Sequence, residues 1–286
     1  MKIVSFEREG RISYGAVQHE LVLDLGAVFG SRAPSLRALL QAGLLPDAIA
    51  HASAHRGSLQ LAGLRLLPVV PDPGKIVCIG LNYADHVAET GRQVTEAPTL
   101  FLRTAASQTG HGDVLVLPAE SARFDYEGEI AVVLGKPGRR IPEAAAWDHI
   151  AGYSCYNDGS IRDWQAATSQ WTAGKNFWKT GAFGPWMVTS DEIVPARVMT
   201  LTTRLNGTEV QRASTDMLIH SIPRQIAYIS TFIPLEPGDV IVTGTPGGVG
   251  FKRTPPLFMK DGDVVEVEVD AIGVLRNEVV AEGRLT

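Results

Sequence analysis

The sequence predicts an α+β fold dominated by strands. It divides into a small β-containing N-terminal domain over residues 1–70 and a larger domain over 71–286. Three observations carry this. Residues 2–25 alternate in short runs, KIVSF, ISYGAV and LVLDL, broken by EREGR and QHE, the pattern of a β-meander. The stretch LRLLPVVPDPGK brings Pro68, Pro71 and Pro73 together, a linker composition that puts the boundary near residue 71. Beyond Leu201 the chain is mostly strand-like, with one amphipathic helix over Ser221–Phe232.

In order, a helix is expected after Ser35, with Leu36, Leu39 and Leu40 on one face and Gly43 as its stop. A second follows from Pro46 to His55. KIVCIG, Lys75 to Gly80, reads as a buried strand that runs into a short helix, capped by Asn82 or Asp85 and ended by Gly91. Phe124 to Gly135, FDYEGEIAVVLG, reads as one strand apolar on both faces toward its end. Pro142 opens a helix through PEAAAWDHI. AGYSCYNDGSIRDWQ starts as a strand, turns at Asn157-Asp158-Gly159-Ser160 and continues as a helix carrying Arg162 and Gln165 on one side. Asn206-Gly207 between two alternating runs signals a hairpin.

Composition excludes several classes of function. The 286 residues carry a net charge of −5, so there is no broad basic footprint for nucleic acid. No apolar run approaches the ~20 residues of a membrane span, and MKIVSFEREG has no apolar leader core. Cys78 and Cys155 sit in apolar surroundings, which reads as two buried, reduced thiols in a cytoplasmic protein. Neither a zinc spacing nor a GxSxG elbow is present.

The chemistry centres on the FDYEGEIAVVLG strand. Alternation puts Asp125, Glu127 and Glu129 on one face, with the two glutamates about 6–7 Å apart at Cα. Such a pair is either a solvated strand edge or an interior site. An interior pair must bind cations or take up protons. No Lys, Arg or His lies within the stretch, so a divalent metal is the economical neutraliser. Asp158, in a polar turn at the end of an apolar strand, is the natural third ligand or a plain turn former. Three carboxylates and water suit a hard ion, Mg²⁺ first, then Mn²⁺ or Ca²⁺. His86 and Glu89, one helical turn apart, are either a surface pair or a base with its orienter. Lys175, in the Gly- and aromatic-rich WTAGKNFWKTGAFGPW, is either a solvated lysine or a partly desolvated one beside the metal. GTPGGVG, Gly244 to Gly250, is neither a P-loop nor a dinucleotide fingerprint. It is a tight turn, or a place where Thr245 offers a hydroxyl and N–H groups to a substrate carboxylate.

Over residues 72–286 the chain resembles the fumarylacetoacetate hydrolase superfamily, on GLNYADHVAE, FDYEGEIAVVLG, NDGSIRDWQ, GKNF, GPW and VTGTPGGVG in that order. Residues 1–70 look like the small N-terminal domain of bacterial members. The resemblance implies a mixed β-roll catalytic domain, a homodimer and a Mg²⁺-dependent enzyme acting on short 2-oxo or 2,4-dioxo acids. By motif, Glu127, Glu129 and Asp158 hold the metal and His86 with Glu89 activates water. Lys175 sits beside the metal, with Arg162, Gln165 and Thr245 as substrate contacts. The activity expected is hydrolysis of a C–C bond in an acylpyruvate. Oxaloacetate-type decarboxylation, 2-hydroxydienoate isomerisation and binding of a 2-oxo acid without catalysis are the alternatives. Two departures bear on the substrate: Arg103 stands in place of the lysine of an LFLKP-like motif, and GAFGPW replaces a CPLGPW-like one.

Overall fold

A computed structural model describes residues 1–285. The chain is α+β and strand-rich, as its sequence predicts, and is built on two open sheets. The larger, mixed sheet has 12 strands. From one edge it runs Leu59–Gln60, Leu21–Asp24, Arg11–Gln18, Lys2–Arg8, Gly181–Thr189, Ile150–Asn157, Gly128–Leu134, Val240–Val242, Ile76–Gly80 and Thr99–Arg103, and off this path Arg65–Leu66 pairs with Lys2–Arg8 and Gln108–Thr109 with Gly181–Thr189. Ile76–Gly80 lies parallel to Val240–Val242. A five-stranded sheet packs beside it, in the order Thr208–Ser214, Thr200–Leu205, Val264–Val269, Gly273–Ala281 and Leu115–Leu117. Among the described residues, no helix is long and apolar enough to cross a membrane.

Gly128–Leu134 is the seam between the two halves of the interior. Ile130, Val132 and Leu134 join the core that faces the smaller sheet, with Leu201, Val267 and Ile226. Ala131 and Val133 join the core on the other side, with Ile3, Leu36, Leu39 and Met187. The alternation expected of this strand is therefore the alternation of two buried faces.

The FDYEGEIAVVLG stretch is not one strand. Phe124–Asp125 pairs with Ser160–Ile161 in a separate ribbon, and the main-sheet strand begins only at Gly128. Between them, side chains replace the ladder: Glu127 N donates to Asn157 Oδ1 at 3.0 Å and Gly128 N to Gln211 Oε1 at 3.0 Å.

Local signals elsewhere behave as their chemistry dictates. Ser35 caps Leu36–Gln41 and Ser221 caps Ile222–Phe232. Asn206 and Gly207 both take positive φ in the hairpin turn. The helix predicted after Pro142 is instead a 3₁₀ segment, Glu143–His149. Neither Asn82 nor Asp85 caps Ala84–Glu89, whose cap position is Tyr83. The Asn82 amide is drawn instead to the carbonyls of His220 and Thr243.

The N-terminal strands continue the main sheet, since Lys2–Arg8 pairs with Gly181–Thr189. Ile3, Tyr14 and Leu25 share one core with Val133, Met187 and Val240. We propose residue 71 as the boundary between two units fused through this common core. A fragment starting at residue 71 should then lose much of the cooperative thermal transition of the full chain and aggregate through its exposed strand edge, as scanning calorimetry and light scattering would show.

Candidate active site

The site lies where the main-sheet strand Gly128–Leu134 begins and its antiparallel neighbours Ile150–Asn157 and Val240–Val242 end. The structure brings Glu127, Glu129 and Asp158 together there. One oxygen from each lies within 4.8 Å of the others, and all three residues are buried. Glu127 and Asp158 are locked backbone to backbone, with Asp158 N donating to Glu127 O at 2.8 Å.

Cations surround this cluster unevenly. Lys175 Nζ bridges Glu127 Oε2 at 2.5 Å and Asp158 Oδ2 at 2.6 Å. Arg162 Nη2 stands 2.7 Å from Glu127 Oε1 as an ion-pair contact off the hydrogen-bond axis, while its Nε donates to Asp125 Oδ2 at 2.8 Å. Arg103 donates to Asp158 Oδ1, to Gly159 O and to Thr180 Oγ1. Among the described residues Glu129 makes no ion pair; its Oε2 accepts one backbone N–H, from Gly244 at 2.5 Å.

The electrostatics follow from that asymmetry. Burial pushes Glu127 up, but Arg162, Lys175 and His86 outweigh it and hold the carboxyl well below its ordinary value. Burial, then the charges of Asp158 and Glu127, raise Glu129 well above its own. Burial opposes the charge on Lys175, yet Asp158 and Glu127 prevail and keep it an ammonium.

This donor set fits a hard divalent ion. It is all oxygen and converges within one coordination radius, and its least compensated member is Glu129. Across the buried group, Asp125, Glu127, Glu129 and Asp158 outnumber Arg103, Arg162 and Lys175 by one charge. A dication turns that excess into one positive charge, which an anionic substrate group can meet.

Gly244 shapes the floor. Its φ is +106°, and a Cβ there would stand 2.6 Å from the Asn82 Cβ. Only glycine lets this turn aim its N–H at Glu129.

The other expected residues open onto the same cavity of about 460 Å³, namely His86, Lys175, Arg162, Gln165 and Thr245. His86, buried, shares a 2.7 Å hydrogen bond between Nδ1 and Glu89 Oε1. Glu89 Oε2 in turn accepts Gly248 N at 2.9 Å, which clips this short helix to the GTPGGVG turn. Gln165 Oε1 accepts from Arg162 Nη1 at 2.9 Å. Thr245 Oγ1 donates to Gly128 O and accepts from Gln211 Nε2.

Sequence reasoning missed two supports. Asp125 fixes the Arg162 guanidinium and accepts the backbone N–H groups of Gly250 and Phe251. Gln211 braces both Gly128 and Thr245 from the smaller sheet. Asp125 could have been found from the alternation, since it shares the face of the two glutamates. Nothing local to Gln211 signals its role.

Residues 75–280 match the family described as fumarylacetoacetate (FAA) hydrolase, C-terminal. The chain is 39% identical over 263 residues to a mitochondrial oxaloacetate tautomerase of Xenopus laevis, covering 91% of this chain and 82% of that protein. The chain therefore belongs to the fumarylacetoacetate hydrolase family, whose members include hydrolases, isomerases and tautomerases. Among solved structures, it is similar to maleylpyruvate hydrolase from Sphingobium sp. SYK-6 in complex with manganese(II) and pyruvate, with a TM-score of 0.81 and 29% identity over 98% of this chain and 99% of that one. It is also similar to 5-carboxymethyl-2-hydroxymuconate delta-isomerase from Mycobacterium smegmatis, with a TM-score of 0.78 and 30% identity over 99% and 100%.

Proposed function

We propose that this chain is a divalent-metal-dependent enzyme that interconverts the keto and enol forms of a short 2-oxo acid, oxaloacetate first. The observation that carries the reading is the convergence, on one cavity, of an all-carboxylate cluster, a buried lysine and His86, which Glu89 holds from behind. The 39% identity to an oxaloacetate tautomerase supports proton transfer ahead of the C–C hydrolysis that the motifs alone suggest.

Glu127, Glu129 and Asp158 would hold Mg²⁺ or Mn²⁺. When bound, the ion supplies Lewis-acid polarisation of the 2-oxo group, which acidifies the C3 hydrogens. The chain's own groups do the rest. Glu89 fixes Nδ1–H of His86, so that Nε2 is the free base. Nε2 takes a proton from C3, the C3–H electrons become the C2–C3 double bond, and the carbonyl π pair moves to the C2 oxygen. Lys175, held protonated by Glu127 and Asp158, faces that developing negative charge. Lys175 gives a proton to that oxygen to form the enol, the His86 imidazolium loses its proton to solvent and Lys175 regains one from it, and the reverse transfers give back the keto acid. Arg162, the Gln165 amide N–H groups and the backbone N–H of Thr245 would orient the substrate's carboxylate. A cytoplasmic homodimer belongs to the same reading, and light scattering checks the dimer.

A second reading uses the same dyad on water. His86 would then deprotonate a water that attacks C4 of a 2,4-dioxo acid, and the C3–C4 bond would break to release pyruvate enolate and a carboxylic acid. The likeness to maleylpyruvate hydrolase favours it. The two are separated by offering the Mg²⁺-loaded protein enol-oxaloacetate and a panel of acylpyruvates. Loss of enol absorbance faster than with Mg²⁺ alone, and intact acylpyruvates, are expected. Cleavage of an acylpyruvate with no effect on enol-oxaloacetate would sink the tautomerase reading. Fast CO₂ release would replace it with decarboxylation.

A further inference from the structure

Arg103 and GAFGPW, the two departures from the motifs, meet in space. Arg103 ends the strand Thr99–Arg103, and Gly181 opens Gly181–Thr189. A Cβ at Gly181 would stand 2.8 Å from both Cζ and Nη2 of Arg103, and 2.9 Å from Gln108 Oε1. Gly181 is not among the residues with positive φ, so glycine serves space there and not a turn. The guanidinium fills that space and is 0% exposed; among the described residues it takes no part in lining the cavity. It spends its donors on four fixed acceptors. Nε donates to Ser107 Oγ at 3.3 Å and Nη2 to Thr180 Oγ1 at 3.0 Å. Nη1 donates to Asp158 Oδ1, and also to Gly159 O at 3.0 Å. The two hydroxyls give their own protons to carbonyls, Ser107 to Thr104 O and Thr180 to Phe177 O, so toward Arg103 they only accept. A planar fork satisfies this frame, and a single ammonium group does not reach all four corners.

The consequence falls on Asp158. Arg103 holds its Oδ1 and Lys175 its Oδ2 at 2.6 Å, so the carboxylate is not free to turn both oxygens onto one ion. Glu127 is held in the same way, with Arg162 beside Oε1 and Lys175 on Oε2, and Glu129 has its Oε2 on Gly244 N. The two hard ions differ on this point. Mg²⁺ demands a near-ideal octahedron, takes few carboxylates and keeps several waters, whereas Ca²⁺ takes six to eight oxygens in a flexible shell that uses carboxylates in pairs of oxygens. We propose that Arg103 is a positioning residue that, in the space Gly181 leaves, restricts Asp158 to one-oxygen ligation and so makes the site take Mg²⁺ in preference to Ca²⁺. This rests on the metal reading of the acid cluster and adds which hard ion that cluster accepts.

The test is displacement of bound Mn²⁺, followed by the electron paramagnetic resonance of the free ion, with Mg²⁺ and Ca²⁺ as competitors. The natural protein should release Mn²⁺ at a lower concentration of Mg²⁺ than of Ca²⁺. Arg103→Lys keeps the charge beside Asp158 and loses the fork. It should move the ratio of Mg²⁺ to Ca²⁺ affinity about tenfold toward Ca²⁺, the worth of one charge-assisted hydrogen bond. Gly181→Ala keeps Arg103 but displaces its guanidinium, and should move the ratio the same way. The double variant should match Arg103→Lys alone, because the added methyl group then has no guanidinium to displace. An arginine that only supported the fold would weaken both ions alike and leave the ratio where it was. A natural protein that prefers Ca²⁺ would overturn the proposal, as would an unchanged ratio in the single variants or effects that simply add in the double one. Should Arg103→Lys fail to fold, the ratio in Gly181→Ala decides. Failure of the natural protein to bind Mn²⁺ at all would instead remove the metal reading, and this proposal with it.

Discussion

Glu129→Gln is expected to lose divalent-metal binding and to slow turnover by about a thousandfold, since Lewis-acid stabilisation of several kcal/mol goes with the ion. Mn²⁺ titration and the enol assay would read both losses. The same substitution should make the metal-free protein more stable. Glu129 is buried, has no cationic partner and is pushed up by its own burial and by Asp158 and Glu127. In the metal-free fold it therefore gives up its proton at a higher pH than in the unfolded chain. Stability is therefore full below the unfolded carboxyl value and declines as pH rises through the higher folded one. Glutamine keeps the acceptor for Gly244 N and removes that decline. Opposite movements of activity and metal-free melting temperature, with the pH slope flattened, are the expected signature. A variant that kept its ion, or melted lower at neutral pH without it, would show that Glu129 is not the uncompensated ligand.

His86→Asn should leave metal binding intact and lower kcat by about 10²–10⁴, the usual worth of a positioned base. Glu89→Gln should cost less and should move the pH–rate profile, because it alters the group that orients the imidazole rather than the one that takes the proton. The two effects should not add, since both residues act through one proton transfer. Full activity in His86→Asn would transfer the base role elsewhere in the cavity. Parallel loss of metal binding would make His86 a structural element of the acid cluster.

Much of this was legible before any coordinates. The meander over residues 2–25, the capped helices at Ser35 and Ser221 and the Asn206-Gly207 turn all rest on signals within a few residues, and local chemistry decides them. Glu127 and Glu129 were legible because their shared face continues as an apolar run, and Asp158 because its polar turn follows an apolar strand. What the sequence hides is long-range. The FDYEGEIAVVLG stretch breaks because Asn157 and Gln211 reach into it from other strands. Asn82 fails to cap because His220 and Thr243, far along the chain, bid for its amide. Arg92, Arg123 and Lys252 give no signal in one dimension, since an exposed Arg or Lys is an ordinary surface residue, and only the fold shows that all three line the cavity.

The seam strand Gly128–Leu134 has a consequence for how such an enzyme can change. Its side chains are spoken for on both faces, so almost no substitution there escapes a penalty from one hydrophobic compartment or the other. Altered selectivity in descendants of this scaffold should consequently accumulate at exposed side chains of the cavity lining, such as Arg92, Arg123 and Lys252, rather than in this strand. The chemistry is anchored in the part of the molecule least free to drift, and its choice of reactant in the part most free to.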